Sequence, residues 1–246
     1  MDLSGAFHKE GLGDFGWLLN LGKLISLTLH NVQDVEDSLA TICQLSGLQH
    51  LDVSQCTESR GQFKNPNKFM ESLVSSLPKL QSLDISGTNL GGSGADPKVM
   101  EQSMSDIVGL GSRADRPLQF LGLYKTHNDA CTRQNIPAVS VSGDANESQI
   151  LVAGQRYLDR PTVLESVLNK LFEVFRYQSC RIVADVRFLY FILSGMRRVR
   201  IQKKPWIYCY LPWRHICMRN IFKSPEVRAC TMLSSLTSSR GTGISK

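Results

Sequence analysis

Leu80-Gln81-Ser82-Leu83-Asp84-Ile85-Ser86-Gly87 is the stretch on which the fold turns, because its spacing returns elsewhere in the chain. The pattern Leu-x-x-Leu-x-Leu occurs at Leu24, Leu27, Leu29; at Leu48, Leu51, Val53; at Leu80, Leu83, Ile85; and at Leu118, Leu121, Leu123. Four such matches lie beyond chance, and a weaker fifth is aligned on Ile136, Val139 and Val141, with Asp144 at the ninth position. Alternation within each phrase marks a short strand turning its apolar residues inward. After the strands come residues at helical spacing: Val35, Leu39, Ile42 and Leu45; Phe69, Met70, Leu73, Val74 and Leu77; Val99, Met100, Met104, Ile107 and Val108. A strand-helix unit of this size cannot bury its apolar face alone, so the units must stack into a solenoid with a parallel sheet on the concave side.

The expected fold is therefore an α/β solenoid of leucine-rich repeats over residues 18–158, preceded by a glycine-rich N-terminal segment, 1–17. Only the first spacing between repeats falls in the usual range of about 20–29 residues. The polar runs 57–68 and 91–98 read as insertions on the rim. Glu147 to Leu158 reads as a helix that Asp144 is placed to cap, and Arg160-Pro161 as a break and a second helix start. Thr162 to Phe175 puts Leu164, Val167, Leu168, Leu171, Phe172 and Phe175 on one face. The architecture thus changes at 159–180 to the start of an all-α, armadillo-like array. Both ends of the solenoid are expected to be uncapped, and that helix face to be sticky unless the tail covers it.

The net charge of +6 conceals two segments of opposite sign. Residues 1–175 hold 14 Lys and Arg against 20 Asp and Glu, whereas 176–246 hold 14 against 2. From Arg181 onward the text is basic and aromatic, with Arg197-Arg198, Lys203-Lys204-Pro205-Trp206 and Trp213, and has no period. Residues 181–246 are expected to be a tail foreign to the array, non-native or disordered; the alternative is a segment binding nucleic acid or an anionic membrane.

Little chemistry is legible. Gly11-Leu-Gly-Asp-Phe-Gly16 spells a dinucleotide fingerprint, but no strand precedes it as that motif requires. Cys209, His215, Cys217 and Cys230 have no standard zinc spacing. No nucleophile elbow or protease signature is present, so no catalytic residue, cofactor, metal or small-molecule substrate is assigned. Seven scattered cysteines without an apolar leader point to the cytosol or nucleus. The longest apolar stretch, Val183 to Leu193, is broken by Asp185 and Arg187 and is too short for a membrane span. Asn146-Glu147-Ser148 is a chance sequon in that setting. The positions between the leucines point outward from the sheet. Among them His30, His50, Asp52, Asp84 and Tyr124 form the candidate protein-binding concave face, the alternative being a solvated surface of a spacer.

Leu48-Gln-His-Leu-Asp-Val-Ser54, Arg116-Pro-Leu-Gln-Phe-Leu-Gly-Leu123 and Ile136-Pro-Ala-Val-Ser-Val-Ser-Gly-Asp144 also match outside the leucines. In these positions, and on through Arg160-Pro161 to about Cys180, the chain resembles the zyg-eleven family. The resemblance implies a substrate-recognition subunit of a cullin-2 RING ubiquitin ligase. In that family an N-terminal box binds elongin C and cullin-2, and an armadillo-like array reads N-terminal glycine degrons. Neither the box nor the degron pocket has a counterpart here, so this chain is expected to begin inside the repeats and to engage neither partner by the family's mode.

Overall fold

The computed structural model describes residues 1–5, 15–57, 59–93 and 105–177. The Gly11–Gly16 motif up to residue 14, the segment 94–104 with Val99, Met100 and Met104, the four zinc candidates and the tail 181–246 lie outside these residues. The chain divides into two units, Met1–Val174 and Phe175–Lys246, and the repeats belong to the first.

Among the described residues five strands, β1 (Ser26–Thr28), β2 (His50–Asp52), β3 (Ser82–Asp84), β4 (Leu118–Gly122) and β5 (Ala138–Ser142), form one parallel sheet in chain order. Between them lie α1 (Leu39–Gln44), α2 (Pro66–Ser76) and short 3-10 turns; α3 (Glu147–Arg156) and α4 (Pro161–Tyr177) follow. The repeated leucines align across the sheet, Leu27 beside Leu51, Leu83 and Leu121. Each is at most 2% exposed, as are Leu29, Val53, Ile85 and Leu123 one step on. Each such side chain contributes roughly 1.5–3 kcal/mol of burial, so the stack of units carries the fold. Phe69, Met70, Leu73 and Val74 of α2 close the same core from outside.

The fifth repeat departs from the expected alignment. Val141, not Val139, pairs with Leu121, and Ala138 with Leu118, so the phrase runs Ala138, Val141, Gly143, two residues later than the spacing suggests. Val139 points into solvent, 70% exposed. The spacing from Leu118 to Ala138 is then 20, back in the usual range, and the ninth position falls on Asn146 rather than Asp144. Asn146 also caps α3, its Oδ1 accepting from Gln149 N at 3.0 Å. Asp144 instead accepts from the Cys131 thiol at 3.1 Å.

The part of the insertion at 59–65 is anchored rather than loose. Phe63 is buried edge-on against Phe69, with ring centroids 4.8 Å apart, and Glu36 accepts from the backbone of Lys64 and Asn65. The N-terminal edge is also covered, contrary to expectation. Thr28 N donates to Met1 O, and Leu3 N and Gly5 N donate to Thr28 O and His30 O, so residues 1–5 run along β1 and satisfy its backbone.

Candidate functional site on the concave face

Strand register lays the outward residues in rows. One row reads Ser26, His50, Ser82, Phe120 and Ser140, and the next Thr28, Asp52, Asp84, Gly122 and Ser142. His30, Ser54, Ser86 and Tyr124 follow at the strand ends. Two carboxylates on adjacent parallel strands repel, and a solvated face would leave them in water. The structure corrects that expectation: Asp52 is 4%, Asp84 0% and Tyr124 2% exposed.

What covers them is the chain's own return after α3. Tyr157, 1% exposed, donates its hydroxyl to Asp84 Oδ1 at 3.1 Å and lies 2.7 Å from Ser86 Oγ and 3.0 Å from Ser142 Oγ. Gly122 makes this possible: a Cβ there would stand 2.1 Å from Asp84 Oδ1. Arg160 then places its guanidinium in an ion pair with Asp52, donates to Ser54 Oγ at 2.9 Å and comes 3.7 Å from Asp84 Oδ2. It also lies 5.3 Å over the Tyr157 ring. Pro161 opens α4, and the Arg160 carbonyl accepts the helix's first bond, from Leu164 N at 2.9 Å. The residue before the proline is therefore fixed by backbone and side chain together.

Among the described residues the charges do not balance inside this network, two carboxylates against one guanidinium. Burial, and then the neighbouring Asp52, push the Asp84 carboxyl up to about 6, with Arg160 pulling the other way. Burial works against the charge on Arg160, but Asp52 and Asp84 outweigh it and raise its pKa. Burial, helped by Asp84, holds the Tyr157 phenol well above the ordinary range. Tyr124, whose hydroxyl lies 3.1 Å from Ser166 Oγ of α4, is pushed up to about 12 by burial.

Of the five candidate residues, the structure gathers His30, Asp52, Asp84 and Tyr124 around this plug. His30 Nδ1 lies 2.8 Å from Ser54 Oγ, which in turn donates to Asp52 Oδ1 at 2.6 Å. His50 stands apart, exposed, in the first row. Tyr157, Arg160 and Cys56 were not singled out as site residues. A signal existed for Arg160: equal carboxylates at the same position of two repeats require a cation, and an arginine fixed before a proline can supply it.

Beside the plug, at the C-terminal ends of the strands, lies a cavity of about 510 Å³ whose lining includes His30, Cys56, Tyr124, His127 and Arg160. Among the described residues no group of three or more His, Cys, Asp or Glu is placed to hold a metal ion, and no helix is long and apolar enough to cross a membrane. The arrangement is suited to holding the chain after the repeats against the sheet and to accepting a small polar group at the cavity.

A family model described as Zer-1-like, Leucine-rich repeats, matches residues 1–126. The protein zer-1 homolog of Drosophila melanogaster is 42% identical over 208 residues, covering 78% of this chain and 25% of that protein. Zyg eleven-related protein 1 of Caenorhabditis elegans is 37% identical over 180 residues, 71% of this chain and 20% of its own length. The human protein zer-1 homolog is 35% identical over 190 residues, 73% and 24%. The chain thus spans a quarter or less of these relatives. No solved structure matches it.

Proposed function

Since the chain belongs to the Zer-1-like leucine-rich-repeat family, we propose that it is the repeat-bearing part of a substrate-recognition subunit of a cullin-2 RING ubiquitin ligase. In this reading the whole receptor acts in the degradation of proteins bearing N-terminal glycine degrons. The observation that carries the reading is the match of residues 1–126 to Zer-1-like repeats, supported by zer-1 homologs at 35–42% identity. The chain itself catalyses nothing. It works in the cytosol or nucleus as an adaptor segment, with elongin C and cullin-2 as partners of the whole receptor.

The geometry holds the start of α4 on the repeats. Asp52, Asp84, Tyr157 and Arg160 tie the start of α4 to the middle of the sheet, so the helix leaves the repeats in a set direction. A partner protein would then meet the face at its exposed margin, where Ile25, His50 and Val139 stand, rather than at the plugged centre. A graft tests this. Residues 1–177 replace the corresponding repeats of the Drosophila zer-1 homolog, and degradation of an N-terminal glycine reporter is followed in cells lacking the receptor. Restored degradation is expected. A graft that accumulates normally and still binds elongin C, yet leaves the reporter stable, overturns the proposal.

The charge of residues 176–246 favours a second reading, a repeat module whose basic segment binds nucleic acid or an anionic membrane. Salt-dependent RNA or vesicle binding that vanishes on deleting 181–246 would support it.

A further inference from the structure

Cys56 holds the ninth position of the second repeat. At the same position of the next two repeats, Thr88 and Thr126 are buried and turn their hydroxyls back to Ile85 O and Leu123 O, at 2.6 and 2.9 Å. Cys56 is exposed instead. Its sulfur lies 3.3 Å from His30 Nε2 and 3.4 Å from Thr162 Oγ1, on the wall of the 510 Å³ cavity.

The network behind His30 sets which nitrogen faces the sulfur. Ser54 has one hydroxyl proton, and it goes to Asp52 Oδ1. Ser54 Oγ also accepts from Arg160 Nη1. His30 Nδ1, 2.8 Å from that oxygen, must therefore be the protonated nitrogen, which leaves the Nε2 lone pair toward the thiol. His30 is 9% exposed, so water competes little for that lone pair. Gln55, 5% exposed, also lines the cavity and spends its amide nitrogen on Val32 O at 2.8 Å; its Oε1 is buried with no hydrogen-bond partner.

We propose that Cys56 is a nucleophilic thiol, activated by His30, which small hydroperoxides entering this cavity oxidise to the sulfenic acid. His30 Nε2 takes the thiol proton and the sulfur attacks one peroxide oxygen. An S–O bond forms as the O–O bond breaks, so sulfur gives up two electrons and the peroxide receives them. The departing hydroxide, or alkoxide from an organic hydroperoxide, recovers the proton from His30 and leaves as water or the alcohol. The thiolate, not the thiol, is the reacting form. The hydrogen bond to His30, aided by Thr162 and the charge of Arg160 against the opposing effect of burial, lowers the Cys56 pKa. Cys131 shows the contrast: it is buried, and burial pushes its thiol up to about 11. His30 and Arg160 are the charged or titratable groups that act directly on Cys56; Lys125, His127, Asp129 and Asp144 line the rest of the cavity.

The test treats the full chain with hydrogen peroxide in the presence of dimedone, which traps sulfenic acids, and maps adducts by mass spectrometry. The pH dependence of iodoacetamide alkylation at each cysteine is measured alongside. The Cys56 adduct is expected to form about ten-fold faster than those at Cys43 and Cys131, and its alkylation midpoint to fall below the ordinary thiol value of about 8.5. His30→Gln should slow Cys56 labelling about ten-fold at neutral pH and move that midpoint up. Labelling of Cys56 no faster than Cys43, a wild-type midpoint at or above about 8.5, or a folded His30→Gln variant with unchanged kinetics would each overturn the proposal. Because the midpoint is read on the unmodified chain, the result stands even if His30→Gln does not fold.

Discussion

Among the described residues Arg160 is the cation paired with two buried carboxylates, and the cost of Arg160→Gln can be worked from the network. Breaking a buried ion pair by deleting one partner costs roughly 3–5 kcal/mol, because the remaining charge is left uncompensated. Here proton uptake limits the loss. Asp84, fully buried, already sits near 6 rather than 3.8, and at about 1.4 kcal/mol per unit its ionisation at neutral pH opposes folding by roughly 3 kcal/mol. Without Arg160 it keeps its proton instead, so the expected loss is near the low end, about 3 kcal/mol. In a unit of this size that is a fall in Tm of about 6–12 °C. Asp84→Asn should do the reverse, since it keeps an oxygen for Ser86 N and Tyr157 and deletes the excess charge. The sign of the pH dependence follows. The native state holds the Asp84 proton more tightly than the unfolded chain, so the stability this provides is complete below about pH 4 and is lost as pH rises through 6. Asp84→Asn should therefore match wild type near pH 4 and exceed it at pH 7. Calorimetric melting of the wild type and both variants at pH 4, 5 and 7 measures this. If Arg160→Gln melts within about 2 °C of wild type at pH 7, or if Asp84→Asn is equally destabilising at pH 4 and 7, the network does not balance charge as described.

Three further outcomes rest on separate contacts. Tyr157→Phe deletes a hydroxyl that donates to Asp84 and lies within bonding distance of two serines, and should cost about 1–3 kcal/mol in urea unfolding; no change would mean that water replaces it. Gly122→Ala drives a Cβ toward Asp84 Oδ1 and should cost about 1–3 kcal/mol, with a melting temperature near wild type counting against the close approach of Asp84 to β4. Leu83→Ala should cost about 2–5 kcal/mol while Val139→Ala stays within about 0.5 kcal/mol; comparable losses would restore the alignment of the fifth repeat on Val139.

The repeats were legible because their information is local and periodic. Leucines at Leu-x-x-Leu-x-Leu spacing can be satisfied only by a strand with one buried face, and four copies can share one core only by stacking. The fifth copy misled because Ala138 and Gly143 stand where leucines would mark the register, and Ile136 and Val139 supply apolar residues at the same spacing although Val139 is a surface residue. The candidate face was legible as to its residues and misleading as to its exposure. Asp52, Asp84 and Tyr124 do point away from the core, but they point into the plug.

The amino-acid sequence by itself determined the solenoid, the parallel order of its strands, the break at Arg160-Pro161 and the family, because each depends on neighbours a few residues apart or on a repeated phrase. Only the tertiary structure decided that the concave centre is closed, that one arginine serves two carboxylates, and that Cys56 faces His30. Arg160 and Asp52 are 108 residues apart, and Cys56 and His30 are 26. No periodicity joins such positions. They meet because stacked repeats bring the strand ends of neighbouring units side by side, and because the chain folds back after its last strand to neutralise charge that the sheet had gathered.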